Sequence, residues 1–274
     1  MVVGSTLYEK KDFKALQKYL INTYEELGLA NLFSHYNHQL KLQLLGLIIT
    51  TIIKNRNYKL CEKYLDILHK EQLKYNSDSF PNILGMSISA DLYICTGRYE
   101  KARQILEKLQ TYESKLNMED LNYLYMNLTV IHVIEENYSK AIQCIFPLHR
   151  SEKLYIKQSG IEGVFKKHML ECIIHFETGD YEYVNYRFKA KERRFRDYLA
   201  DPANYRDKTF LMLLKRLNKN PDLLTDPDFI KEVDKFIAMK SIEPADNEFV
   251  SFNAWVKAKV EKRKYYDVFL EMVK

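Results

Sequence analysis

The sequence predicts an all-α protein, an array of stacked antiparallel helical hairpins, on three observations. One kind of fragment recurs: NRNYKLCEKYLDIL from Asn55, TGRYEKARQILEKLQ from Thr96, EENYSKAIQCIFPL from Glu135 and TGDYEYVNYRFKA from Thr178. No segment alternates with period two for long enough to make a strand. The chain has only 8 Gly and 6 Pro in 274 residues, too few for a turn-rich β sandwich and suited to long helices with short connections.

Aligned on the aromatic residue after the turn, the fragments place Tyr58, Tyr99, Tyr138 and Tyr181 at intervals of 41, 39 and 43 residues. A period in this range belongs to stacked helical hairpins. Three residues on stand Cys61, Ala102, Ala141 and Val184; seven on stand Leu65, Leu106, Ile145 and Phe188; ten on stand Leu68, Leu109, Leu148 and then Lys191. These offsets share one face of a helix, so each fragment opens the second helix of a hairpin. Nine residues upstream stand Ile49, Ala90, Thr129 and Cys172, and six upstream Ile52, Tyr93, His132 and His175, the buried stripe of the first helix. Gly97, Asn137 and Gly179 are expected to take the left-handed backbone that ends that helix.

Weaker echoes flank this run. KKDFKALQKYL around Phe13 predicts the second helix of a partial hairpin, and further hairpins are expected around Phe229 and Tyr266. Asp201-Pro202, Asp226-Pro227 and Ser79-Phe80-Pro81 read as helix starts, a cap followed by an early Pro. The organisation is then N-terminal helices over 1–41, repeats over 42–200 and degenerate hairpins over 201–274 that continue or cap the stack, about twelve or thirteen helices in all.

Hydrophobic residues make up 46% and charged residues 29%, the balance of a folded soluble domain, and the net charge of +5 does not by itself call for nucleic acid. Cys61, Cys95, Cys144 and Cys172 form no CxxC pair and lie in helical patterns, which predicts four reduced, buried thiols in a cytoplasmic protein. The N-terminus lacks a signal-peptide core, and LLGLIITTII from Leu44 is too short to span a bilayer, so no membrane partner is expected. Because the helical pattern begins almost at once, a second reading makes the chain a regulatory or sensor module of a longer signalling protein.

No nucleophile elbow, phosphate loop, HExxH or zinc-type Cys pairing is present, so neither catalysis nor a cofactor is expected. HMLECIIH places His168, Glu171, Cys172 and His175 at offsets 0, 3, 4 and 7, a spacing that can suit zinc. Packing explains the same residues, since Cys172 and His175 fall on repeat core positions, and no metal is assigned. His35 and His38 lack a third ligand nearby, and His69 and His149 near helix ends face the negative end of the helix dipole. From Tyr186 to Arg216 ten Lys and Arg stand against four Asp and Glu, a net +6. Val184, Phe188, Phe195 and Leu199 form the core face there, while Lys189, Arg193 and Arg196 gather on one side. That side reads as a solvated face or as the contact for an acidic partner, protein or nucleic acid.

ADLYICTGRYEKA, with its small residue, aromatic and Gly-x-Tyr-x-x-Ala, resembles the tetratricopeptide repeat, and YMNLTVIHVIEENYSKA resembles it too. The resemblance is closest over Ile83 to Ala141 and extends to Leu42 and Phe188. The family repeats every roughly 34 residues, so the spacing of 39 to 43 here requires longer helices or loops. The resemblance implies a right-handed α-solenoid whose first helices line a concave groove. Carried over, the groove positions are Leu84, Ser87 and Asp91, then Tyr123, Met126, Asn127 and Val130, then Lys166, Met169 and Ile173. This apolar set suits an apolar or helical peptide, unless the helices curl tightly and the groove fills itself. Asn127 and Lys166 fall where some members clamp a C-terminal carboxylate, but Ile88 and Leu170 stand where further polar groups belong. The expected work is that of a non-catalytic protein- or peptide-binding scaffold. Apolar surface at an uncapped end would favour a homodimer.

Overall fold

The computed structural model describes residues 2–10, 12–74, 83–149, 152–239 and 251–273. Among these residues the chain is all-helical, without a strand, and its helices pack in consecutive pairs. The first of two compact units holds α1 (Val2–Glu9), α2 (Phe13–Leu29), α3 (His38–Lys54), α4 (Tyr58–Leu73), α5 (Ile83–Cys95) and α6 (Tyr99–Gln110). The second holds α7 (Met118–Ile134), α8 (Tyr138–Ile145), α9 (Glu152–Glu177), α10 (Tyr181–Glu192), α11 (Arg196–Ala200), α12 (Tyr205–Lys219), α13 (Pro227–Ala238), α14 (Phe252–Glu261) and α15 (Tyr265–Val273). The described residues therefore form fifteen α-helices where twelve or thirteen helices were expected; α11, barely more than one turn, is too short to carry a period. The two units divide between Lys115 and Leu116.

One turn closes four hairpins, α3–α4, α5–α6, α7–α8 and α9–α10. The residue two before each Tyr has a left-handed backbone: Arg56 (φ 58), Gly97 (φ 81), Glu136 (φ 57) and Gly179 (φ 75). The next residue returns an N–H to the carbonyl five back: Asn57 to Ile52, Arg98 to Tyr93, Asn137 to His132 and Asp180 to His175, at 2.8–3.2 Å. This is the 6→1 bond of a Schellman motif, which satisfies a carbonyl the ending helix would leave bare. The same residue then caps the second helix: the Asn57, Asn137 and Asp180 side chains accept from the amides of Leu60, Lys140 and Tyr183. Asn137 is thus the cap and not the left-handed residue expected of it; Glu136 takes that place, one position earlier.

The buried stripes follow the repeat. Cys61, Ala102, Ala141 and Val184 are wholly buried, as are Ile49, Ala90, Thr129 and Cys172 facing them on the first helices. Small residues here let the two helices of a pair approach. The anchoring tyrosines themselves are half-buried, and Tyr181 is exposed. Asp201 and Asp226 cap the helical turns that Pro202 and Pro227 open, as expected; the third such start, at 79–81, lies outside the described residues.

Beyond α10 the second unit closes on an aromatic cluster. Phe210 of α12 stacks on Phe252 of α14 at 4.6 Å and neighbours Phe236 of α13 and Trp255 of α14. Trp255 meets Phe176 of α9 edge-on at 5.6 Å, and its indole N–H donates to Glu177 Oε1 at 2.7 Å, while Lys259 pairs with the other oxygen of Glu177. The α14 helix thereby packs back onto the end of α9. No helix among the described residues is long and apolar enough to cross a membrane.

Candidate functional site

The ten groove positions separate. In the first unit Leu84 is exposed, and Ser87 and Asp91 are half-buried on α5. In the second unit Tyr123, Met126 and Lys166 are half-buried, but Asn127, Val130, Met169 and Ile173 are buried. Asn127 turns its amide onto the Tyr123 carbonyl at 3.0 Å, and Lys166 pairs with Glu162 one turn back. The C-terminal halves of α7 and α9 are buried on every side, with Leu128–Ile134 an unbroken buried run. In the second unit these positions therefore serve as core, and the carboxylate-clamp pair Asn127 and Lys166 is already engaged.

The same offsets counted back from Tyr58 give Gln43, Gly46, Leu47 and Thr50 on α3; Gly46 is buried, the other three are exposed, and so is Leu40 one turn before Gln43. The sequence reading began its groove at Leu84, but the Tyr58 hairpin carried the signal equally. Leu84 lies over Gly46 of α3, its Cδ2 only 3.2 Å from where a Cβ would stand, so a glycine lets α5 seat this side chain on α3. Leu40, Leu47 and Leu84, at 63%, 56% and 37% exposure, put an apolar strip on two neighbouring first helices.

Lys189, Arg193 and Arg196 all face solvent, and none pairs with a described acidic side chain, but the single helix expected to carry them breaks at 193–195, so they lie on α10, in the turn and on α11. Arg187 does not belong to it. Its guanidinium pairs with Glu171, a buried carboxylate that also accepts from Tyr183 Oη at 2.7 Å. Burial, then this carboxylate, pushes the Tyr183 phenol up.

That pairing decides what HMLECIIH does. Glu171 is held by Arg187 and Tyr183, and His175 stacks on the Tyr183 ring at 3.9 Å with Nδ1 3.3 Å from Asp180. His168 Nε2 lies 3.8 Å from Cys172 Sγ, and burial pushes that thiol far up, which favours the neutral form over a thiolate. Among the described residues no three His, Cys, Asp or Glu side chains gather as a metal group. Burial likewise raises the thiols of Cys61 and Cys95, each to about 12. Cys144 is half-buried, a correction to the expectation of four buried thiols.

Four helices of the second unit, α9 to α12, enclose a cavity of about 370 Å³. Met169, Phe188, Phe195, Leu199 and Leu211 supply its apolar wall. Its floor is set by ring packing, Phe195 meeting Phe165 edge-on at 5.3 Å and His168 at 5.6 Å. Arg196, Lys208 and Lys215 supply its cations, with Lys215 Nζ 5.7 Å from the Phe188 ring centre, and among the described residues no Asp or Glu lines it. Sequence reasoning singled out Arg196 but not this cavity, because its wall comes from four helices brought together only by folding. Compared with known proteins, the chain matches no family model, no curated protein and no solved structure.

Proposed function

We propose that the chain is a non-catalytic protein- or peptide-binding scaffold, a divergent tetratricopeptide-like right-handed solenoid that presents α3 and α5 to its partner. The observation that carries this reading is the exposed strip Leu40, Leu47 and Leu84 on the first helices of two successive hairpins. An apolar strip left out of the helix pairs, with Leu84 seated against Gly46 of the neighbouring first helix, suits an apolar face of a peptide or helix. The fourfold repetition of one hairpin turn supports the solenoid, because stacked repeats present successive first helices side by side.

The test selects binders from a displayed library of random peptides against the full chain. The expected peptides are apolar along one face. They lose at least about tenfold in affinity for the Leu47→Glu, Leu84→Glu variant and keep it for the Lys189→Glu, Arg193→Glu variant. A second reading, an acidic partner on the basic side, is favoured by Lys189, Arg193 and Arg196, which are exposed and pair with no described acidic side chain. Acidic peptides lost with the basic-side variant, and weakened steeply by salt, would replace the first reading with the second.

A further inference from the structure

We propose that the cavity between α9 and α12 binds a small amphipathic anion, a single carboxylate head on a short apolar tail. The site belongs to the second unit and is independent of the peptide reading for α3 and α5. Its wall and rim differ in kind. Met169, Phe188, Phe195, Leu199 and Leu211 form a surface that gains by covering apolar atoms, and the two phenylalanines are themselves buried. Around them stand Arg196, Lys208 and Lys215, with no carboxylate among the described lining residues. Arg196 and Lys208 are exposed and pair with no described acidic side chain, so their charge is available to an incoming anion.

Each half of the site excludes a class of occupant. A neutral hydrocarbon would leave Arg196 and Lys208 unused, and a bare anion would leave the apolar wall in water. Only a molecule with both parts uses both surfaces. The cavity, about 370 Å³, lies at the small end of the roughly 300–1,000 Å³ of ligand pockets, which favours a compact molecule over a folded peptide segment. Arg196 and Lys208 approach from α11 and α12, and a guanidinium beside an ammonium can share one carboxylate through charge-assisted hydrogen bonds.

Isothermal titration calorimetry on the full chain tests this with octanoate as the probe. The expected result is one-to-one binding of octanoate, with 1-octanol (tail without charge) and inorganic phosphate (charge without tail) each weaker by at least about tenfold. Arg196→Glu with Lys208→Glu removes the anion's partners, and Ala200→Trp fills the mouth without changing charge; each should weaken octanoate by about tenfold or more. All three residues are exposed, and circular dichroism checks that the variants stay folded. Lys189→Glu with Arg193→Glu, and Leu40→Glu with Leu47→Glu, should leave octanoate binding within about threefold. The proposal is overturned if octanoate gives no saturable heat up to about 10 mM, if 1-octanol binds equally well, or if the loss follows Lys189 and Arg193 or Leu40 and Leu47.

Discussion

The first helix α3 of the first unit and the first helices α7 and α9 of the second obey one hairpin grammar and end with opposite surfaces, while α5, with Ile88 buried and Asp91 half-buried, falls between them. Eight residues before the anchoring Tyr, α3 has Thr50 exposed, α7 has Val130 buried and α9 has Ile173 buried. Eleven before, α3 has Leu47 exposed, while α7 has Asn127 and α9 has Leu170 buried. The stripe that pairs each first helix with its second helix is the same in all of them. What differs is the opposite face. In the second unit α7 packs on α8 and α9, α9 packs on α10 as well, and α14 reaches back to the end of α9. In the first unit α3 packs on α2, α4 and α5 and still leaves Leu40, Gln43, Leu47 and Thr50 outside. A repeat thus fixes how two helices pair, while its neighbours decide whether the remaining face is a core or a surface.

The strongest way to break this comparison is to put a charge on the first-helix face on each side of it. Val130→Glu buries an unpaired carboxylate and should destabilise the protein by roughly 4 kcal/mol or more. Leu47→Glu places the same side chain in water and should change stability by about 0.5 kcal/mol or less. Urea denaturation midpoints measure both. Equal losses would mean that the α3 face is as enclosed as that of α7, and the peptide reading would lose its surface.

The legible part of the fold followed from periodicity. Core positions such as Ala102, Leu106 and Leu109 were readable because 3.6 residues per turn brings them to one face, and all three are buried. The turn was readable at Gly97 and Gly179, where glycine marks a left-handed residue. It was misplaced by one at Asn137, because Glu136 carries no such mark and Asn suits both the left-handed and the capping position. The site was less legible. Leu47 and Val130 are both apolar residues on first helices, and nothing local separates the one left in solvent from the one that later helices enclose. The cavity of the second unit needed Met169, Phe188, Arg196 and Lys208 to converge from four helices, which no spacing along the chain records.

Ion pairs sharpen the comparison at a smaller scale. In the second unit Arg187 answers a carboxylate, Glu171, that is almost wholly buried. Arg187→Met removes the guanidinium that answers this buried carboxylate and should cost about 3 kcal/mol. In the first unit Glu71 is answered twice, by Lys41 at 2.8 Å and Lys74 at 2.7 Å. Burial pushes the Glu71 carboxyl up, but the two lysine hydrogen bonds outweigh it and hold it below the ordinary range. A carboxyl depressed in the folded state stabilises above its unfolded pKa, near 4.3, and that contribution disappears as pH falls through the folded value. Lys41→Met should therefore cost about 1 kcal/mol at pH 7 and progressively less below about pH 4. Thermal unfolding across pH 3 to 7, followed for both variants, reads the window; a Lys41→Met cost that stays constant to pH 3 would show lost stem packing rather than lost charge.

The smallest expected effect is at the turns, and there the two units should behave alike. Each has one glycine and one non-glycine at the left-handed position: Gly97 and Arg56 in the first, Gly179 and Glu136 in the second. A Cβ in this region costs roughly 1–2 kcal/mol, against about 0.4–1 kcal/mol that a glycine loses by loosening the unfolded chain. The balance favours glycine at all four turns. Glu136→Gly and Arg56→Gly should each raise stability by a few tenths to about 1 kcal/mol. Gly179→Ala should lower it by about 1 kcal/mol, and by backbone strain alone, because a Cβ there meets nothing within 4 Å. If both substitutions to glycine stabilise equally, the turn is one module in the two units, and the divergence between the units lies wholly in what covers the first helices. If Arg56→Gly instead destabilises, the Arg56 side chain contributes contacts that outweigh its strain, and the first turn of the array is a specialised copy.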